Sequence, residues 1–451
     1  CEALAGRKPI LLDRDNFEEV MGKLKIDLQL SLGASGRVAM SFKELDDFRP
    51  ERLFRELEIF DKLRSTRARL EDGSAFAATA KKLHDWSAKA PRPAKPVDPT
   101  QLGDFLDEVF AATEEQPAQT QAGVDWNNFL ERVVGPYVVP KENPRQAEMT
   151  DVVDRATSGL MRALLHQTHF QSLEAAWRGL WFLVKRLPTD TTLKIAVLDV
   201  SRDELAADLA GEELDHSGLF RILVKETVGT PGAAPWAAVA GLYTFDARRE
   251  DAELLGRIAR IARAADAPFL ASAHARLAGT PSFAAQADPD SWKDLHASDS
   301  QEAWTALREL PEAVYLGLAL PRFLLRLPYG PGTDEVESFA IDEECARAHE
   351  TNLWGNPALA CACLLGEAFA SAGWSLRPGM VQELENLPAY VYKVDDEPVM
   401  QPCAEVVLSV KAGQQLLALG LMPLLSIQGR DTVRLAQFLS LAGKELAGRW
   451  Q

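Results

Sequence analysis

The stretch from Thr168 to Val200 constrains the fold more than any other part of this sequence. Large apolar residues recur in it at steps of three and four, at Phe170, Leu173, Trp177, Leu180 and Val184. This spacing places them on one face of an α-helix. Thr168 and Gln171 match a capping box, so we predict that the helix begins there and ends before Pro188. A compact apolar segment at 193–200 predicts a strand, and the two together predict a helix packed on a sheet.

Bulk composition disfavours two classes of partner. The 451 residues are 47% hydrophobic and 25% charged, as in an ordinary globular protein long enough for two to four domains. A formal net charge of −17 opposes phosphate binding, so we expect no nucleic-acid partner. The sequence has no uninterrupted apolar run of the ~18 residues that suggest a transmembrane helix, so we expect no membrane insertion.

The five cysteines predict a reducing, cytoplasmic setting, because their number is odd and their density is low. Cys361 and Cys363 are separated by one residue, and we interpret them as buried core residues rather than metal ligands. The chain begins with Cys1 instead of Met, and we expect that an N-terminal piece has been lost.

Residues 1–86 form a first unit with a β-hairpin and a helix. Apolar and polar residues alternate on both sides of a turn at 33–36, with the apolar ones at Ile26, Leu28, Leu30, Leu32, Val38, Met40 and Phe42. Pro50 opens a helix with an apolar stripe of Leu53, Phe54, Leu57, Phe60 and Leu63. A hairpin and one helix bury too little surface to fold alone. The missing core must come from the lost N-terminal piece, the rest of the chain or a neighbouring subunit.

Residues 87–150 are predicted to be a linker region. Four prolines lie within 87–100, and a second polar link covers 111–123. Short amphipathic helices are predicted at 101–110 and 126–134. These helices either dock on other molecules or pack against the main domain of the chain.

Residues 151–451 read as one layered α/β domain, because strand patterns alternate with helical patterns. We predict strands at 193–200, 236–245, 268–273, 315–320 and 404–410. We predict helices at 151–166, 168–184, 203–209, 219–224, 254–261 and 431–447.

The sequence contains no recognisable catalytic constellation. Phosphate-loop, nucleophile-elbow and His-Glu-x-x-His motifs are absent. His166 and His169 lack a third ligand at metal-site spacing. The acidic residues Asp334, Glu335, Glu337, Asp342, Glu343 and Glu344 read as solvated surface, with a paired-carboxylate enzyme site as the alternative. We therefore expect a structural or assembly protein with no catalytic residues, no cofactor and no metal.

The segment His166–Leu180, followed by Leu193-Lys194-Ile195, resembles the signature of the large (TssC/VipB-type) sheath subunit of bacterial type VI secretion systems. Further phrases of that family follow in order at 241–245, 267–269, 320–322, 327–330, 353–356 and 419–424. The first unit resembles the small (TssB-type) sheath subunit in Ile10–Phe17 and Leu45–Leu53. The chain thus looks like a fusion of two subunits that are usually separate, and the first unit is expected to pack on the large-subunit-like domain.

The resemblance implies a structural subunit of a contractile sheath that assembles around an inner tube. It implies self-assembly or assembly with other sheath subunits, and inner-tube, baseplate and unfoldase proteins as further partners. Ala436–Gly443 and the end at Gln451 replace the strand-donating C-terminal region usual in the family. A non-contractile ring, cap or adaptor derived from a sheath protein is therefore the alternative.

We expect one set of apolar residues to form the interface within the chain or between assembled copies. Its members come from the hairpin, from the helix after Pro50 and from the helix after Thr168: Ile26, Leu28, Leu30, Leu53, Phe54, Leu57, Phe170, Leu173, Trp177 and Leu180.

Overall fold

The computed structural model describes residues 4–31, 37–89, 134, 146–283, 286, 288–293, 298–343, 351–394 and 397–450. The chain divides into two compact units. The sheet unit comprises Cys1–Val20, Ala175–Arg326 and Leu353–Gln451, and the helical unit comprises Met21–Glu174 and Leu327–Asn352. The predicted linker helices at 101–110 and 126–134 and the link at 111–123 lie outside the described residues, apart from Val134.

Helices of seven or more residues alternate with strands from Ile195 to Leu320, whereas several such helices follow one another before that stretch. The strands are β1 (Ile10–Leu12), β2 (Ile26–Ser31), β3 (Arg37–Phe42), β4 (Ile195–Val197), β5 (Val239–Phe245), β6 (Phe269–Ala273), β7 (Leu316–Leu320), β8 (Phe323–Leu324), β9 (Trp354–Gly355), β10 (Glu383–Leu384), β11 (Val391–Val394), β12 (Glu397–Met400), β13 (Leu421–Ser426) and β14 (Val433–Leu435). The helices are α1 (Phe17–Lys23), α2 (Pro50–Glu56), α3 (Glu58–Glu71), α4 (Phe76–Lys89), α5 (Gln146–Leu165), α6 (Thr168–Arg186), α7 (Arg202–Asp208), α8 (Arg249–Ala265), α9 (Ser298–Glu309), α10 (Pro357–Ala372) and α11 (Val410–Ala418). The predicted α/β class is confirmed.

A six-stranded sheet forms the centre of the sheet unit, in the order β10-β14-β13-β7-β6-β5. Strands β5, β6, β7 and β13 are parallel, and β14 and β10 add antiparallel pairs at one edge. Successive residues of a strand enter different cores: Phe269 and Ala271 join the core that contains α8, whereas Leu270 joins the core that contains α10. Both faces are covered, which explains why these strands read as continuous apolar runs.

Helix α10 is a core helix of the sheet unit. Ala358, Ala360, Cys361 and Cys363 are fully buried in it, so the interpretation of the two cysteines as core residues is confirmed. Burial raises the pKa of the Cys361 thiol to about 12 and that of Cys403 to about 11. The segment Pro357–Ser375 is long and apolar enough to cross a membrane by length and composition, but core helices pass the same test.

The strand pair of the predicted hairpin is confirmed as β2 paired antiparallel with β3, with Leu28 opposite Met40. Leu32 and the predicted turn at 33–36 lie outside the described residues. The single helix predicted after Pro50 is wrong, because the chain forms α2 and α3 with Leu57 extended between them. Arg64 compensates for the break: its guanidinium donates to the carbonyl oxygens of Phe54 and Arg55, which the end of α2 leaves without helical partners.

The predicted capping box at Thr168 is also wrong, although α6 does begin there and ends before Pro188. The side chain of Gln167 accepts from the backbone N–H of Phe170 at 2.8 Å and so caps the helix. Gln171 instead donates to the carbonyl of Thr351 at 2.8 Å, a partner 180 residues away. The strand predicted at 193–200 is confined to β4.

Two predictions near the C-terminus are wrong. The segment 404–410 is not a strand: Ser409 caps α11, and Glu405 forms an ion pair with Arg322. The predicted helix at 431–447 is replaced by β14 and turns. Leu441 N–H donates to Leu316 O at 2.8 Å and Ala447 N–H donates to Val314 O at 2.9 Å, so the backbone bonds run to distant segments.

Candidate assembly interface

The N-terminal segment of the sheet unit lies along β4. Strand β1 pairs antiparallel with β4 in the register Ile10 to Val197, Leu11 to Ala196 and Leu12 to Ile195. Leu12 is buried and Leu11 is 56% exposed. The first unit therefore completes a small sheet with a strand from the later part of the chain.

Arg7 fixes this segment by charge-assisted hydrogen bonds. Its guanidinium donates to both carboxylate oxygens of Glu204, at 2.5 and 3.1 Å, and to the carbonyl of Asp199. The guanidinium of Arg221 donates to the carbonyl oxygen of Arg7 at 3.2 Å. The hydrogen bond from Arg7 and the backbone N–H of Ser201 lower the pKa of Glu204 to about 2. A bidentate arginine–carboxylate pair fixes the relative orientation of the two side chains and also stabilises their contact.

Phe17 provides the apolar anchor at the other end of the segment. Its ring contacts Trp177 and Trp181 edge to face, with centroid distances of 5.7 and 5.1 Å. The ring is 1% exposed. The carboxylate of Asp13 orders the chain immediately before α1, because it accepts from the backbone N–H of Asn16 at 2.9 Å. Trp177, singled out from the sequence, thus receives an aromatic residue of the first unit.

A second contact joins residues 1–86 to the later chain, and it lies within the helical unit. Phe42 of the hairpin stacks on Phe48 at 4.2 Å, and both rings pack edge to face on Phe170, at 5.9 and 5.6 Å. All three side chains are fully buried. The expectation that the core of the first unit is supplied from elsewhere is met here by α6. Aromatic pairs of this kind add ~0.5–1.5 kcal/mol beyond their buried area.

Polar bonds join α3 to α5 within the helical unit. Arg67 donates to Asp154 at 2.7 Å. The Gln146 amide donates to the carbonyls of Leu70 and Glu71, at 2.7 and 2.9 Å, and so satisfies acceptors at the C-terminal end of α3.

The ten interface residues predicted from the sequence fall into two groups. The sheet unit holds buried Trp177 and half-buried Leu180. The helical unit holds the others, of which Leu30, Leu53, Leu57 and Phe170 are buried and Ile26, Leu28, Phe54 and Leu173 are half-buried. The prediction omitted Leu4, Arg7, Phe17, Phe42, Phe48 and Glu204. One sequence signal for Glu204 was available, since Ser201 and Glu204 form a capping box.

Several of the described acidic residues are engaged by other groups of the helical unit. Asp334 pairs with Arg49 at 3.0 Å, and Glu335 accepts from Gly332 N–H at 3.2 Å. Glu343 is buried and accepts from Tyr329 N–H at 2.6 Å, so the solvated-surface interpretation is wrong for this residue. His166 Nε2 lies 3.6 Å from Glu343 Oε1, whereas His169 is exposed. Glu344 lies outside the described residues.

Across the described ranges, one group of side chains has metal-ligand spacing: Glu213, Asp215 and His216, all exposed. His216 Nδ1 lies 2.9 Å from Glu213 Oε2, so two of the three side chains already contact each other.

These contacts define an α/β protein in which residues 1–86 pair and pack with segments of the later chain. Residues 147–441 match the family described as VipB: EvpB/VC_A0108, tail sheath N-terminal domain. Residues 1–86 match the family described as type VI secretion system, VipA, VC_A0107 or Hcp2. Since the first match covers more than half of the chain, the chain belongs to the VipB tail sheath family, and it is a fusion with a VipA-like segment.

One curated relative is similar to this chain over much of its length. It is the type VI secretion system sheath protein TssC1 of Pseudomonas aeruginosa, 36% identical over 287 residues, which cover 62% of this chain and 58% of that protein. The chain therefore spans less than two thirds of the length of this relative.

Proposed function

We propose that this protein is a structural subunit of a type VI secretion-like contractile sheath and assembles around an inner tube. One observation carries the proposal: residues 1–86 bury Leu12, Phe17 and Phe42 against the VipB-like part of the same chain. Two sheath-type segments thus form one building block. Self-assembly with other sheath subunits follows from the family.

Further partners belong to the proposal as well. They are inner-tube, baseplate and unfoldase proteins, and the setting is the cytoplasm. Nucleic acid is not among the proposed partners, because the net charge of −17 opposes phosphate binding.

The proposed role is not enzymatic. The pairing of Asp334 with Arg49 and the burial of Glu343 support this, because both carboxylates already have structural partners. The triple variant Glu335→Gln, Glu337→Gln, Asp342→Asn should leave every cellular phenotype of the gene unchanged. A lost phenotype with a folded protein would favour the enzyme alternative.

Electron microscopy of the purified protein, with and without an inner-tube protein, tests assembly. Long tubes that shorten under a trigger are the expected result. Monomers or closed rings alone would contradict a contractile sheath and favour the ring, cap or adaptor.

A further inference from the structure

Residues 329–343 of the helical unit form a loop whose two ends are joined by hydrogen bonds, and we call it the Tyr329 loop. Tyr329 N–H donates to the carboxylate of Glu343 at 2.6 Å, and Glu343 N–H donates to the carbonyl oxygen of Tyr329 at 2.9 Å. Inside the loop, Gly330 N–H donates to the carbonyl oxygen of Asp334 at 3.0 Å. The buried carboxylate of Glu343 therefore takes part in closing the loop.

Contacts with α2 and α5 fasten the Tyr329 loop within the helical unit. Phe339 stacks on Phe54 of α2, with the two ring centroids 4.5 Å apart. The guanidinium of Arg162 on α5 donates to the carbonyl oxygen of Asp342 at 2.9 Å. The loop thus lies against the end of α5, where His166 directly follows the helix.

His166 contacts the carboxylate that closes the loop. Its Nε2 atom lies 3.6 Å from Oε1 of Glu343. This nitrogen is buried and has no hydrogen-bond partner within the described ranges, whereas the side chain as a whole is 17% exposed. Buried polar atoms in proteins are nearly always hydrogen-bonded, so this exception calls for a physical reason.

The protonation state of His166 decides whether this contact is attractive. A neutral imidazole presents to the carboxylate either a lone pair, which the carboxylate repels, or an N–H group without an acceptor at hydrogen-bond distance. An imidazolium places a positive charge 3.6 Å from Glu343 Oε1, and the partial negative charge at the C-terminal end of α5 adds to the attraction. Closure of the loop should therefore favour uptake of a proton by His166.

We propose that His166 and Glu343 form a pH-dependent latch, which holds the Tyr329 loop closed when His166 carries a proton. Imidazole is the side chain whose charge changes between about pH 5 and pH 8 in ordinary surroundings. Because closure favours the protonated form, the stabilisation is present at the acidic end of this range and is lost as the pH rises.

The arginines near the latch have acceptors of their own. Arg162 lies one turn before His166 on α5 and donates to the backbone of the loop. The guanidinium of Arg49 lies 5.8 Å from the centre of the Tyr329 ring and pairs with Asp334 at 3.0 Å and with Glu51 at 3.4 Å. Neither arginine changes its charge between pH 5 and pH 8, so neither accounts for a pH dependence in that range.

Helix α6, which follows His166 in the chain, carries two further titratable groups. Glu174 is buried and has an interaction partner of its own. His169 is exposed, three positions after His166. Since His169 is also an imidazole, it is the group from which a test must distinguish His166.

Hydrogen exchange of the full chain tests the latch without any substitution. Mass spectrometry follows deuterium uptake by the peptide that contains residues 329–343 at about pH 6 and about pH 8, with labelling times scaled to the intrinsic exchange rate. We expect protection to be at least about fivefold lower at the higher pH, because one proton can change the opening equilibrium by up to about tenfold per pH unit. A peptide that contains β6 is the internal reference and should change by less than about twofold.

Two variants each remove one partner of the latch. His166→Gln removes the imidazole, and Glu343→Gln removes the negative charge but keeps an oxygen that can accept from Tyr329 N–H. Both should reduce the ratio of protection between the two pH values to less than about twofold. The matched controls are His169→Gln and Glu337→Gln, at exposed positions of the same unit, and both should keep the native ratio.

A ratio below about fivefold in the native protein would overturn the proposal. So would a native ratio in either latch variant that has native circular dichroism, or an equal change in the β6 peptide, which would indicate loosening of the whole chain. If one latch variant does not fold, the other decides, and if neither folds, the native ratio decides together with the His169→Gln control. Tube formation is measured separately by microscopy, so a failure here and a failure of the sheath function are distinguishable.

Discussion

Glu204 has two roles at the scale of single residues: its carboxylate accepts from Ser201 N–H at the start of α7, and it binds the guanidinium of Arg7. Both bonds favour the ionised carboxylate, which is why its pKa falls from 4.5 to about 2. Because the pKa is depressed in the folded protein, the stabilisation is complete above pH 4.5 and is lost as the pH falls from 4.5 towards 2.

Docking of the N-terminal segment should therefore weaken in that pH window. Amide hydrogen exchange of residues 10–12 should accelerate as the pH is lowered from 4.5 to 2, after correction for the intrinsic rate. The variant Glu204→Gln should lose most of this pH dependence. An unchanged protection profile in the native protein would show that the Arg7–Glu204 pair does not hold the segment.

Phe170 is the residue on which the hairpin aromatics converge in the helical unit. The substitution Phe170→Ala removes a fully buried ring and leaves a cavity beside Phe42 and Phe48, so we expect a loss of about 3–5 kcal/mol in the free energy of unfolding. Urea titration followed by circular dichroism measures it. Ser172→Ala, at an exposed position of the same helix α6, is the control and should change stability by less than ~0.5 kcal/mol. Similar midpoints for both variants would contradict the proposed cluster.

At the scale of elements, the connection between α11 and β13 depends on a close backbone approach at Gly420. A Cβ there would lie 2.5 Å from the carbonyl oxygen of Leu441, which is itself tied to β7 through Leu316. Gly229 has the same positive φ of 74°, but nothing lies within 4 Å of the position its Cβ would occupy. Alanine substitutions at the two glycines therefore separate the energetic cost of backbone strain from that of a steric conflict.

We expect Gly229→Ala to lower the free energy of unfolding by ~1–2 kcal/mol, because a residue with a Cβ is strained in the left-handed backbone conformation. Gly420→Ala should cost a further ~1–3 kcal/mol, because Leu441 must move away from the sheet. Thermal unfolding of both variants measures the difference. Equal losses would indicate that the C-terminal segment adapts without cost.

The element predictions succeeded where the pattern of the sequence is long and regular. Helices α5, α6 and α8 and strands β5, β6 and β7 follow their predicted apolar patterns closely. The prediction failed at 404–410 and 431–447, where the backbone bonds run to Arg322, Val314 and Leu316 rather than to neighbours in sequence. It also missed β13 and α10, and the nearly continuous apolar composition of α10 has no clear helical period.

At the scale of the whole molecule, residues 1–86 contribute to both compact units: Cys1–Val20 belongs to the sheet unit and Met21 onwards to the helical unit. The predicted domain boundaries at 86 and 150 stay a prediction. The first three residues of the predicted 87–100 linker continue α4.

Cleavage at a protease site inserted within residues 90–100 should leave the two pieces associated, because β1, Arg7, Phe17 and the Phe42–Phe48–Phe170 cluster hold the first unit without the linker. Gel filtration under native conditions should show both fragments in one peak. The same cut in the Phe170→Ala, Arg7→Glu double variant is the control for the interface and should release more of the small fragment. Complete separation of the unmodified pieces would show that the interface is too weak for this role.

The sequence alone determined the α/β class, the hairpin, the central helix and the two family resemblances. Each of these depends on the spacing of apolar residues or on a short sequence motif within one stretch of the chain. Tertiary structure decided which strand receives β1, where the helix after Pro50 breaks and which carboxylate binds Arg7. Arg7 and Glu204 are 197 residues apart, and no local pattern links them. Partners at such separation are fixed by burial of the whole chain, which places their hydrogen-bonding groups within reach only once both segments have packed.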